Sequence, residues 1–269
     1  MKTQRILFSL VFMLIFSQAS MAQDLISAAD TKKALKSSNT IVVSARGASD
    51  YAKVHIRGAV NVPMGTLEKD GEPKGILKGS SELATLLGGK GISPDKKIII
   101  YDSGSGIGSG RLYWVLKYLG FSDVNIMDGH MRAWRSARGP VTNGGTKVQA
   151  TSFTPKVNKA IFADMGYVKS KLSSAALLDV RSDKEFNEGH INGARNLEYK
   201  NVLTDSDKLK SKEELAKLFK GAGITKDKEV ILYCATSARA GIVFLALNSV
   251  LGYSNVTVYD GAYNEWKLN

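Results

Sequence analysis

Cys234 closes the apolar run Val230-Ile231-Leu232-Tyr233 and opens the segment Ala235-Thr236-Ser237-Ala238-Arg239, after which an apolar stretch resumes. A short β-branched run followed by small polar residues and then a helical pattern reads as a strand-to-helix turn. In parallel α/β sheets ligands bind beyond the carboxyl ends of the strands, and this is where the thiol falls. The unpaired N–H groups at such a turn, together with the helix dipole and Arg239, suit a thiolate and would hold an anionic group attached to it. The chemistry these residues could do is nucleophilic group transfer through sulfur. A buried structural cysteine would account for the thiol but not for the loop and its place in the fold.

The elements that must position Cys234 occur twice. Ile98-Ile99-Ile100-Tyr101 matches Val230-Ile231-Leu232-Tyr233, and Gly120, Asp128, Gly129 and Trp134 recur as Gly252, Asp260, Gly261 and Trp266, all at an offset of 132. Upstream, Val43-Ser44-Ala45-Arg46 and His55-Ile56-Arg57-Gly58-Ala59 match Leu178-Asp179-Val180-Arg181 and His190-Ile191-Asn192-Gly193-Ala194 at an offset of 135. The two halves therefore share a fold. Between the strands lie helical patterns. Ser211 and Glu214 have capping-box spacing, Leu215, Leu218 and Phe219 form an apolar stripe, and Gly221 and Gly223 end the helix. After the cysteine loop an amphipathic helix is expected with Ala240, Val243, Phe244 and Leu247 on its buried side. Alternating strands and helices predict an α/β chain built on parallel sheets. The non-periodic, glycine-rich stretch after Gly139-Pro140 predicts a linker over 141–155 between domains at 23–140 and 156–269.

Composition narrows the function. With 43% apolar and 23% charged residues over 269 positions the chain is neither disordered nor fibrous. A single cysteine excludes an intrachain disulfide and a multi-cysteine metal cluster. The net charge of +12 fits nucleic acid, an acidic surface or an anionic small substrate. Lys32-Lys33 and Lys96-Lys97 are only pairs, and Lys208, Lys210 and Lys212 alternate with other residues, so no nucleic-acid stripe forms and an anionic substrate is the expected partner. At the start, Lys2 and Arg5 precede the apolar run Ile6–Phe16, and Ser20-Met21-Ala22 offers a cleavage site, so 1–22 reads as a signal peptide and Gln23 as the mature start. The run is short for a membrane span. The expected product is exported, periplasmic or secreted, with no membrane attachment after cleavage.

Leu178-Asp179-Val180-Arg181, Glu185-Phe186, Gly189-His190-Ile191-Asn192-Gly193-Ala194, the Cys234 loop, Tyr259-Asp260-Gly261 and Trp266 together resemble the rhodanese superfamily, and the duplication resembles its tandem-domain thiosulfate and 3-mercaptopyruvate sulfurtransferases. The resemblance implies two rhodanese-like domains, each a parallel sheet flanked by helices on both faces, with a catalytically silent first half. There Asp102 stands where the offset places the counterpart of Cys234, and a carboxylate cannot hold sulfane sulfur. The resemblance also implies a two-step reaction without metal or organic cofactor. Cys234 takes sulfur from a small anionic donor as a persulfide and passes it to a thiophilic acceptor such as cyanide or a thiol. The N–H groups of Ala235, Thr236, Ser237, Ala238 and Arg239 would stabilise the persulfide, with the Thr236 and Ser237 hydroxyls as further donors. Arg181 and Arg239 would bind the sulfur donor, and their two charges favour dianionic thiosulfate over 3-mercaptopyruvate.

Other residues in these motifs have structural readings. Asp179 is expected to hold its loop or pair with Arg181, and His55 and His190 to be hydrogen-bonded imidazoles. With His130 these histidines form no metal-ligand set. Trp134 and Trp266 recur in both halves and are expected in the core. A rival reading is a cysteine-dependent phosphatase of related fold, but such loops place five residues between cysteine and arginine, and four stand here. A second rival is a non-enzymatic sulfur carrier.

Overall fold

A computed structural model describes residues 24–269; the expected signal peptide and Gln23 lie outside the described residues. The first half contains β1 (Leu25–Ile26), β2 (Thr40–Ser44), β3 (His55–Ile56), β4 (Val60–Asn61), β5 (Lys97–Tyr101), β6 (Val124–Met127) and β7 (Val141–Thr142). The second contains β8 (Phe162–Ala163), β9 (Ala176–Asp179), β10 (Arg195–Asn196), β11 (Val230–Tyr233) and β12 (Val256–Tyr259). Two five-stranded sheets result, in the orders β1-β6-β5-β2-β4 and β8-β12-β11-β9-β10. Every pairing within them is parallel. The two orders are the same topology, with β5 and β11 at the centres, so the repeat in sequence is a repeat in space.

Alternation along the central strands sorts their side chains between two cores. Ile98 and Ile100 face a core shared by both halves, whereas Ile99 and Tyr101 face the outer helices of the first half. In β11, Val230 and Leu232 face the shared core and Ile231 and Tyr233 the outer one. A period of two therefore carries Cys234, the next residue, onto the inner side, where it belongs to the shared core.

The helix after the cysteine, Ala240–Leu245, continues as a π-helical turn over Ala246–Val250. It is not amphipathic as expected: every residue from Ala240 to Leu247 is buried. One side packs on its own sheet and the other on Ile107–Tyr118 of the first half, itself buried from Ser109 to Leu116. The backbones touch where these helices cross, since a Cβ on Gly241 would lie 2.2 Å from the Gly110 carbonyl. No larger residue fits without separating the halves. By contrast, the Lys212–Gly221 helix forms as the sequence predicts, with the Ser211–Glu214 capping box and buried Leu215 and Phe219.

The segment after Gly139 is not wholly free. Val141–Thr142 forms β7 and pairs antiparallel with β3. Thr151, Lys156 and Asn158 then donate backbone hydrogen bonds to Gly88, Leu119 and Tyr118 of the first half. The halves also grip each other reciprocally. The Leu77 N–H donates to the Asp260 carboxylate and the Leu209 N–H to the Asp128 carboxylate, both at 3.0 Å.

Candidate active site

Cys234 leaves the carboxyl end of β11 with its side chain fully buried. The loop turns at Ser237, whose φ of +56° is in the left-handed region that non-glycine residues rarely occupy. Among the described residues, no carbonyl or side chain takes the N–H groups of Ala235 through Arg239, so the donors of the expected nest are free. A cleft of about 440 Å³ lies over the loop. It is walled by Thr236, Ala238 and Arg239, by Ser182, Glu185 and Lys200 of the same half, and by Met64 and Ile107 of the other.

The two expected anion-binding arginines are not equivalent. Arg181 is 4% exposed and grips Asp179 with Nε at 2.9 Å from Oδ2, while a terminal nitrogen donates to the Gly189 carbonyl at 2.7 Å. Its guanidinium stacks on Tyr263, 4.0 Å from the ring centroid. It lines no part of the cleft over the loop, and its charge is spent on Asp179, as the pairing read for Asp179 requires. Arg239 does reach the cleft, but its two terminal nitrogens donate to the Glu185 oxygens, each at 2.7 Å. That fork, opposed by partial burial of the carboxyl, holds Glu185 down at about 2. The same pair raises the Arg239 guanidinium above its ordinary range against desolvation.

Ser237 is likewise committed. Its hydroxyl accepts from Arg111 of the first half and donates to the Thr236 carbonyl at 2.8 Å, so it is a latch and not a free donor. Thr236 borders Gly75, where an added Cβ would lie 2.5 Å from the threonine Cβ. Ala235 sends its carbonyl to the Asn264 N–H at 3.0 Å.

Sequence reasoning missed three residues of this site. Glu185 had a local signal, the Ser182–Glu185 capping box, but its pairing with Arg239 spans the fold. Lys200, paired with Glu198 at 3.4 Å, and Arg111 have no local signal. The structural readings of the histidines match the geometry. His55 stacks on Tyr51 and His190 on Phe186, with centroids 3.7 and 3.9 Å apart, and each ring bonds the carbonyl of its stacking partner. Trp134 is fully buried, whereas Trp266 is only partly so, edge-on to Tyr259.

The corresponding loop of the first half carries its own anion. The Asp102 carboxylate accepts from the N–H groups of Gly104 at 2.8 Å and Ser109 at 3.1 Å, and from the Ser109 hydroxyl at 2.9 Å. Burial raises this carboxyl, but His130 and these donors outweigh it and hold it below its usual range. A fixed carboxylate thus fills the nest that stays open in the second half.

Two matching parallel sheets with one thiol-bearing loop define a duplicated α/β protein with a single cysteine-based site. A family model described as a rhodanese-like domain matches residues 27–137 and again 164–269. A Mycolicibacterium smegmatis protein named "Putative thiosulfate sulfurtransferase" is 30% identical over 250 residues, covering 86% of this chain and 90% of its own. The "Sulfur carrier protein TtuD" of Thermus thermophilus is 29% identical over 212 residues, covering 69% and 73%. The crystal structure of SseA from Escherichia coli, described as a 3-mercaptopyruvate sulfotransferase, has a TM-score of 0.83 at 26% identity and covers 89% of this chain and 98% of that one. The chain belongs to the rhodanese-like family, as a tandem-domain sulfurtransferase.

Proposed function

We propose that this protein moves sulfane sulfur from thiosulfate to a thiophilic acceptor through a persulfide on Cys234. The observation that carries this reading is the thiol at the end of the central strand, followed by five unclaimed N–H groups and Arg239. The Cys234 thiolate attacks the outer sulfur of thiosulfate. A new S–S bond forms at Sγ, the donor's S–S bond breaks, and sulfite leaves with the electron pair. The terminal sulfur of the persulfide is anionic, and the loop N–H groups are suited to hold it. Cyanide or a thiolate then attacks that sulfur and Cys234 departs as thiolate, so no oxidant or reductant is consumed. In the first half the Asp102 carboxylate occupies the equivalent nest, which supports a silent partner that walls the cleft.

One observation favours 3-mercaptopyruvate as an alternative donor. Arg239 and Lys200 are each paired with a glutamate and Arg181 with Asp179, so the field at the cleft is weaker for a dianion than two free arginines would make it. Comparison of kcat/KM for the two donors, with cyanide as acceptor, tests the assignment. Thiosulfate is expected to be the better donor; a preference of about tenfold for 3-mercaptopyruvate, equivalent to ~1.4 kcal/mol, would reverse it. Loading of one sulfur without turnover on any acceptor would identify a carrier instead.

Export is part of the same proposal and rests on the Lys2–Ala22 pattern. Protein recovered from outside the cytoplasm is expected to begin near Gln23. A soluble cytoplasmic form that keeps Met1 would refute it.

A further inference from the structure

A buried arginine at the interface is among the places where the likeness of the two halves fails. The offset of 132 that aligns Asp102 with Cys234 aligns Arg111 with Val243, so the arginine has no counterpart in the second half. Arg111 is fully buried on the Ile107–Tyr118 helix. One terminal nitrogen donates to the Ser237 hydroxyl; the other donates to the Gly75 carbonyl at 2.5 Å and to Asp260 Oδ1 at 3.3 Å. It therefore ties together the left-handed residue of the cysteine loop, the first-half turn that presses on Thr236, and the aspartate that latches Leu77.

We propose that Arg111, supplied by the half without the nucleophile, is a positioning residue for sulfur transfer, fixing the Cys234 loop through Ser237 so that its N–H groups stay aimed at the sulfur. This rests on the persulfide reading above. The physical argument is conformational. A non-glycine residue at positive φ is held only by surrounding contacts, and the Ser237 hydroxyl is held between the guanidinium and the Thr236 carbonyl. The planar guanidinium reaches three acceptors at once, which an ammonium on a flexible stem does not reproduce. Arg111 acts on the loop and not on the donor, so its loss falls on the rate of the sulfur-transfer step and leaves donor affinity in place.

The test follows the sulfur adduct on Cys234 by intact mass after thiosulfate is added to the full chain, together with steady-state kcat and KM. Arg111→Met is expected to slow adduct formation about tenfold or more with KM within about twofold, the signature of misplaced groups. Arg111→Lys should recover part of the rate. Ser237→Ala should cause a similar loss, and the double variant should be no slower than the slower single one, because both break the same link. Asp128→Ala cuts the reciprocal latch to Leu209 on the far side of the interface and should load sulfur at the normal rate. If Arg111→Met does not fold because Asp260 is left unpaired, Ser237→Ala carries the test alone. Normal loading by Ser237→Ala or Arg111→Met, an additive double variant, or an equal loss in Asp128→Ala overturns the inference. Wild-type protein that acquires no sulfur would instead overturn the persulfide reading beneath it.

Discussion

Cys234→Ser is expected to acquire no sulfur from thiosulfate and to lose turnover by ~10⁴–10⁶-fold, the scale on which nucleophile removal disables an enzyme whose other groups act with it. A serine hydroxyl is nearly isosteric but cannot carry sulfane sulfur at neutral pH. Because Cys234 has no exposed surface, the hydroxyl enters the shared core and costs ~1–3 kcal/mol unless it finds an acceptor. Cys234→Ala removes that cost and should be equally inactive, which separates chemistry from folding. Intact-mass spectra before and after thiosulfate give the answer directly. A gain of one sulfur on either variant would show that the sulfur is held elsewhere in the chain.

The second large effect is expected at Arg239. Arg239→Ala removes the cation at the end of the cysteine loop and leaves Glu185, across the cleft, with its Arg239 fork broken. Charge-assisted contacts are worth ~1.5–3 kcal/mol, so kcat/KM for thiosulfate should fall ~10–150-fold. Unchanged thiosulfate kinetics would remove Arg239 from the donor site. The same variant has a pH signature. The Arg239 fork is the main reason the folded carboxyl of Glu185 lies at about 2, below its ordinary value of ~4.3. A depressed folded value gives stability that is complete above the unfolded value and lost as pH falls toward the folded one. The wild-type protein should therefore lose this contribution between about pH 5 and 2, and the acid limb of its melting profile should be shallower in Arg239→Ala. Glu185 is partly exposed, so salt should weaken the difference. Superimposable acid limbs for the two proteins would argue that the pair does not bear on stability.

Arg239 and Arg181 also show where sequence reasoning stops. Both are arginines beside a strand end or loop, and charge counting treats them as two cations for a dianion. The structure spends Arg181 on Asp179, two residues away, and pairs Arg239 with Glu185, 54 residues away. Only the first pairing was readable, because a short loop fixes the distance between its ends whatever the rest of the chain does. The helix after the cysteine shows the same limit. Its internal spacing marks a buried side, but the second buried side exists only because the Ile107–Tyr118 helix covers it.

Features set by local geometry and by repetition are legible in the residues alone. The run Val230–Tyr233 puts Cys234 at the carboxyl end of a strand, capping-box spacing begins the Lys212–Gly221 helix, and the constant offsets make the halves alike and Asp102 the counterpart of Cys234. Which charges remain available, which face of β11 is the inner one and which half holds the loop emerge only from packing. Ser237 meets Arg111 across 126 residues, and Gly75 meets Thr236 where the halves close. The physical reason is that backbone periodicity acts within a few residues, whereas the partner of a buried guanidinium is chosen by desolvation and is whichever acceptor the packed fold brings within hydrogen-bonding reach.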